Sequence, residues 1–210
     1  MTIELPEDHP IKILNADDIF QIMVKILLRE DKIDRDKEHF WVVGLATNNK
    51  LLFIELISLG TVNSTLVEPM EVFSVALQKR AVNIILVHNH PSGELKPSEQ
   101  DKDITDRLIQ VGKIVNTPVF DHLIITRTSF LSFKDVELLD KLEMSTKYVP
   151  PYVQMERMKK ELTELAKSSE KTAIAKELKR NGLANELIAE STGLSLEEVV
   201  NLKVRRKPST

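Results

Sequence analysis

Between Asn15 and Glu30 the apolar residues Ile19, Ile22, Met23, Ile26 and Leu27 recur at helical spacing. That stripe predicts an amphipathic helix capped by Asn15 or Asp17. The polar stretch Arg29 to Lys37 predicts a loop. His39 to Ala46 and Leu51 to Leu59 are rich in β-branched, aromatic and aliphatic residues. Asn48-Asn49 between them tolerates the positive φ of a tight turn, so a hairpin is expected. Both arms are apolar on both faces, which predicts a covered, central place in a sheet. Thr61 to Ser64 reads as a loop. Pro69 suits the first turn of a helix whose buried stripe is Val72, Phe73, Ala76 and Leu77.

Ile84 to Val87 is a short, wholly apolar run of strand length, and His88 to Pro97 is a loop with Pro, Ser and Gly. A helix is expected from about Ser98 to Val111, with Gly112 as its stop. Pro118 to Thr126 predicts a strand and Phe130 to Phe133 a short one. This alternation predicts an α/β domain with helices on a mixed sheet. The pattern changes after about Asp135. Past Pro150-Pro151 the chain is rich in Lys and Glu and reads as helix, with turns at Asn181-Gly182 and Thr192-Gly193. Ser195 and Glu198 form a capping box for a last short helix. Three regions follow: 1–37 as an N-terminal helix and linker, 38–135 as the main domain, and 150–210 as a helical extension. The first helix is expected to pack on the main domain.

Composition narrows the chemistry. With 42% hydrophobic and 29% charged residues the chain can build a core and keep a soluble surface. The net charge of −3 gives no global electrostatic case for nucleic-acid binding. There is no cysteine, which excludes disulfides, thiolate ligands and cysteine nucleophiles. The N-terminal residues do not read as a signal peptide, and no apolar run approaches the ~20 residues of a membrane span. A cytoplasmic location is expected, with no membrane partner.

A metal site would have to be built from His, Asp and Glu, and the five histidines are His9, His39, His88, His90 and His122. His88 and His90 leave the end of an apolar strand at i and i+2, so both rings can turn to one side. Asp101 lies one helical turn into the next helix. Two His and one carboxylate leave a fourth position open on zinc, as a catalytic site requires. Ser98 and Asp101 also fit a second reading, as N-cap and N3 of a capping-box-like pair. His122, beside Asp121, reads as a hydrogen-bonded structural residue or as support for a ligand. His39 reads as a surface residue at a strand end, and His9 as part of a terminus.

The complete run His88-Asn89-His90-Pro91-Ser92-Gly93, followed by Pro97-Ser98 and Asp101, resembles the JAMM (MPN+, JAB domain) metallopeptidases in their RadC-like branch. Gly60 to Ser64, Pro69 to Phe73 and Asp121 to Ile125 extend the resemblance over roughly Glu38 to Phe133. It implies a three-layer α/β/α sandwich similar to cytidine deaminases, with a mixed sheet. It implies zinc on His88, His90 and Asp101, and Ser98 as hydrogen-bond donor to the oxyanion. A glutamate would take a proton from the attacking water and pass it to the leaving amine. Glu38, just before Phe40, is the first candidate, and Glu55 in the return strand is the second. The implied activity is hydrolysis of a peptide or of an isopeptide-linked protein.

Two alternatives accompany it: a nucleic-acid-linked role in DNA repair or with mobile elements, and a non-catalytic scaffold. RadC-like proteins carry a helix-hairpin-helix-type module, and no Gly-x-Gly hairpin of that sort precedes Asn15. Leu183 to Val199 is similar to a helix–turn–helix segment, but Glu197 and Glu198 on its second helix suit a DNA groove poorly. The basic run Val204 to Lys207 is short, so the extension is read first as a surface for a partner or for self-association.

Overall fold

A computed structural model describes residues 11–60 and 67–203. His9, the Thr61–Ser64 loop and the Val204–Lys207 run lie outside the described residues. The chain divides into two compact units, Met1–Val149 and Pro150–Thr210.

In the first unit helix α1 (Ala16–Leu27) starts at Asn15, whose side chain accepts from the Asp18 amide while Asp18 accepts from the Asn15 amide. This reciprocal cap satisfies two groups that the first helical turn leaves open. The expected loop after it holds a single helical turn, α2 (Lys32–Arg35). Strands β1 (His39–Leu45) and β2 (Leu51–Leu59) form the hairpin, and Asn49 takes the positive φ of 60° at its turn. Helix α3 (Pro69–Gln78), β3 (Asn83–Asn89), helix α4 (Glu99–Ile114), β4 (Val119–Ile125), β5 (Phe130–Ser132) and helix α5 (Leu138–Glu143) complete the unit.

The strands form one sheet in the order β2-β1-β3-β4-β5. β3 and β4 run parallel, and the other neighbours are antiparallel. Alternation along the strands sends successive side chains to opposite faces. Trp41, Val43, Leu45, Ile85, Val87, Leu123 and Ile125 pack with Ile19, Phe20, Met23 and Leu27 of α1. Phe40, Val42, Ile84, Leu86 and Ile124 pack on the other face, with Val72 and Phe73 of α3, Leu108 and Ile109 of α4, and Leu139 of α5. The result is a mixed α/β fold in three layers, with α1 on one side of the sheet and α3, α4 and α5 on the other.

Several expectations are corrected. β1 is buried along its whole length, but β2 is an edge strand, and Leu59 at its end is 45% exposed. Leu77 points out of the α3 stripe, 48% exposed. Gly112 does not stop α4, which continues to Ile114; the positive φ falls at Asn116 instead. A Cβ on Gly112 would stand 2.8 Å from the Thr117 carbonyl oxygen, so this glycine permits a close approach rather than a cap. α5 gave no periodic signal because it has six residues and one buried side chain, Leu139.

In the second unit α6 (Pro151–Arg180), α7 (Asn185–Thr192) and α8 (Leu196–Asn201) follow the expected breaks. Gly193 ends α7 in the left-handed conformation, and Ser195 with Glu198 caps α8 reciprocally. Ala175, Ile188 and Val199 are its buried core. Among the described residues no helix is long and apolar enough to cross a membrane.

Candidate metal centre

Parity along the strands gathers the candidate residues. β3 continues through Asn89, so His88 belongs to the strand and His90 stands just past its end. Ile84 and Leu86 face α3 and α4, so His88 and His90, in step with them, face the same side. Phe40 opposes His88 across the β1–β3 pairing, and Glu38, two residues before Phe40, enters from the same face. β4 is in register beside β3, with His88 opposite Ile124 and Leu86 opposite His122. α4 then brings its N-terminus, carrying Ser98 and Asp101, over this end of the sheet.

Glu38, His88, His90, Ser98 and Asp101 together line one cleft of about 440 Å³, whose further walls include Glu68, Arg107 and Tyr148. Glu55 is absent from that lining; it sits on edge strand β2 opposite Val42. His39 is not a surface residue. It is 1% exposed, turns to the opposite face, stacks on Trp41 at 4.9 Å and holds the Lys37 carbonyl with its Nδ1.

Donor atoms of three residues converge in the cleft. His88 Nε2 lies 2.9 Å from His90 Nε2 and 3.2 Å from Asp101 Oδ1, and His90 Nε2 lies 3.5 Å from Asp101 Oδ2. A tetrahedral ion with bonds of about 2.0–2.1 Å holds its ligand atoms about 3.3–3.4 Å apart. These separations, each taken to the nearer carboxylate oxygen, are close to the spacing of ligand atoms around such an ion. His, His and carboxylate are a nitrogen and oxygen donor set suited to a divalent metal ion.

The three candidate ligands are held from behind. His90 Nδ1 donates to the Glu94 carbonyl at 2.7 Å. His88 Nδ1 lies 2.8 Å from His122 Nε2. Asp101 Oδ2 accepts from the Ser98 amide and the Ser98 hydroxyl, both at 2.7 Å, while Ser98 Oγ accepts from the Asp101 amide at 3.1 Å. The cap reading of Ser98 and Asp101 is thus present, and it leaves the metal reading of Asp101 open. The cap occupies Oδ2 and fixes the carboxylate so that Oδ1 faces His88.

Charge states follow from burial and contact. Burial raises the Glu38 carboxyl above its usual range; the negative Asp101 adds to this, and His90 opposes it. Burial would also raise Asp101, but its contacts with His88 and His90 and the hydrogen bond from Ser98 outweigh it and hold the group well below the carboxylate range. Burial pushes His88 down and His122 far down, so both rings are neutral at neutral pH. For His90 burial acts downward as well, but contacts with Asp101 and the Glu94 carbonyl raise it overall.

Thr105 was not among the candidates. Its hydroxyl lies 2.6 Å from His122 Nδ1 and donates to the Asp101 carbonyl at 2.5 Å. The only signal for it in the sequence is the four-residue spacing from Asp101 on a helix, which many threonines share.

A family model described as the RadC-like JAB domain matches residues 13–138. The chain is 47% identical over 113 residues to a UPF0758 protein of Desulforamulus reducens, covering 54% of this chain and 50% of that protein. It is 46% identical over 108 residues to one of Desulforudis audaxviator, covering 51% and 47%. Against one of Pelodictyon phaeoclathratiforme it is 41% identical over 128 residues, covering 61% and 55%. The chain spans about half the length of these curated relatives.

Proposed function

The chain belongs to the RadC-like JAB domain family, and on that footing we propose that it is a zinc-dependent hydrolase of JAMM type. Its substrate is an amide or isopeptide bond in a peptide or an isopeptide-linked protein. The observation that carries the reading is the convergence of His88, His90 and Asp101 in one cleft with Glu38 and Ser98. When bound there, zinc supplies a Lewis acid for a carbonyl and a water made acidic near neutral pH.

The chain's own residues do the rest. Glu38 holds a carboxyl whose affinity for protons is raised by burial, which suits it to take a proton and release it to the departing amine. Asp101 is oriented by the cap at the start of α4, where the helix N-terminus also favours its negative charge. The Ser98 hydroxyl lends its hydrogen to Asp101 in the resting site. Turning that hydrogen toward the cleft lets it stabilise an oxyanion. Two cations near the cleft are matched by carboxylates, Arg107 by Glu68 and Lys147 by Asp103.

The test pairs metal analysis of the purified chain with cleavage of fluorogenic peptides and isopeptide-linked protein conjugates. About one zinc per chain is expected, with His88→Ala and Asp101→Ala losing both metal and cleavage. A wild-type chain that takes up no zinc on titration, or cleavage that survives His88→Ala, overturns the proposal.

A further inference from the structure

His122 does not line the cleft and is fully buried, yet it touches a residue proposed to hold the metal. The hydrogen bonds behind it have only one consistent direction. Thr105 has a single hydroxyl hydrogen, and a carbonyl oxygen can only accept. At 2.5 Å from the Asp101 carbonyl, that hydrogen lies between Thr105 and Asp101. Thr105 Oγ1 therefore meets His122 Nδ1, 2.6 Å away, as an acceptor, and Nδ1 carries the ring proton. In a neutral ring Nε2 is then bare and accepts from His88 Nδ1 at 2.8 Å. His88 is left with its lone pair on Nε2, the atom that faces Asp101 and His90. His90 Nδ1 likewise donates to the Glu94 carbonyl, so Nε2 is the nitrogen it turns toward the same point.

We propose that Thr105 and His122 are positioning residues that fix His88 as its Nδ1-protonated tautomer, so that the metal site is formed before the metal arrives. This inference rests on the metal-dependent reading above. The relay starts and ends on the ligand triangle, since Asp101 gives its side chain to the triangle and its backbone carbonyl to Thr105. It ties β3, β4 and α4 at the point where ligands from two of them must meet. Phe40 and Phe133 flank the His122 ring, with centroids 5.7 and 4.6 Å away, and leave its two nitrogens directed along the relay. Partners of this kind set ligand orientation, and their loss costs roughly 10–100-fold in metal affinity.

Two measurements on the full chain test it. Long-range proton–nitrogen NMR of the metal-free protein reads the tautomers directly. His88 and His122 should both carry their proton on Nδ1, and a His122 protonated on Nε2 overturns the relay. Zinc affinity by competition with a chromogenic chelator then compares Thr105→Val, Thr105→Ser and His122→Phe with the wild type. Thr105→Val and His122→Phe should bind roughly 10–100-fold more weakly, and Thr105→Ser near the wild-type value. A purely structural role would lower the unfolding temperature of the metal-free protein and leave the zinc affinity of the folded protein unchanged. Unchanged affinity in Thr105→Val or His122→Phe therefore sinks the positioning role while the metal reading stands. A wild-type chain that binds no zinc sinks both. If a variant fails to fold, the tautomer measurement on the wild type still decides.

Discussion

Asp121 anchors the strand on which His122 stands, and its removal should be costly. Oδ1 accepts the backbone N–H of His122 at 2.7 Å and of Lys134 at 3.0 Å, and Oδ2 accepts the Ser132 hydroxyl at 2.6 Å. Asp121 is 5% exposed and Ser132 3%. Asp121→Ala leaves both N–H groups without an acceptor, while the Ser132 hydroxyl can rotate. A buried donor left unpaired costs about 1–3 kcal/mol, so the two together cost at most about 2–6 kcal/mol, less where water reaches the amide of exposed Lys134. Asp121→Asn is the control, because its carbonyl oxygen keeps both backbone donors and its amide donates to Ser132 Oγ. Burial raises the Asp121 carboxyl above its usual range in spite of these bonds. The folded protein thus prefers the group protonated more than the unfolded chain does. The cost of ionising it is absent below the ordinary carboxylate pKa of about 4, grows as pH rises toward the raised value, and is constant beyond. Asparagine does not titrate. Asp121→Asn should therefore gain on the wild type as pH rises from about 4 to 7, and Asp121→Ala should lie below both throughout. Urea unfolding of the metal-free protein, followed by the fluorescence of buried Trp41, measures all three. Asp121→Ala within about 0.5 kcal/mol of wild type, or Asp121→Asn losing ground as pH rises, refutes this account of the corner.

Glu38→Gln should keep fold and zinc and lose roughly 10²–10⁴-fold in turnover, whereas Glu55→Gln should leave turnover within a few-fold; the reverse result moves the base to β2. Ser98→Ala should cost about 0.5–2 kcal/mol of stability in a denaturant titration. It should also cost roughly 10²–10³ in kcat, and an unchanged kcat would leave Ser98 as a cap only. Gly44→Ala places a Cβ 2.0 Å from Phe53 Cε1; the overpacked strand pair should lose at least about 1–3 kcal/mol, and an unaltered unfolding temperature would show that the Phe53 ring gives way freely.

Much of this fold was legible where a period was long and clean. α1, the β1–β2 hairpin and β3 each carry apolar spacing that admits one reading, and Pro69 and Ser98 mark helix starts by their chemistry. What was not legible depends on neighbours. That β2 is an edge strand follows from sheet order, which no local pattern encodes. The burial of His39 depends on its stacking with Trp41, on the face away from the cleft. The role of Gly112 comes from the Thr117 carbonyl above it, a tertiary contact that a cap rule cannot anticipate. In the site the split is the same. The ligand spacing is local and readable, while Thr105 and His122 join it only once β3, β4 and α4 are side by side.

The position of the site follows from topology as much as from the motif. β3 and β4 are the one parallel pair in the sheet, and a parallel pair requires a crossover, here α4. The crossover returns the chain over the carboxyl end of β3, where open α/β sheets place their ligands. It also aims the N-terminus of α4 at that end, so Asp101 sits in the first helical turn, where a carboxylate is favoured. Strand alternation then supplies His88 and His90 from one side of β3, and the parallel register sets His122 beside them. A cation at that point would lie between two imidazoles whose second nitrogens are already spent and a carboxylate whose second oxygen is already capped. Each of the three side chains is thus held at its far atom and turned toward one point, and this restriction, more than their number, suits the cluster to hold a metal ion.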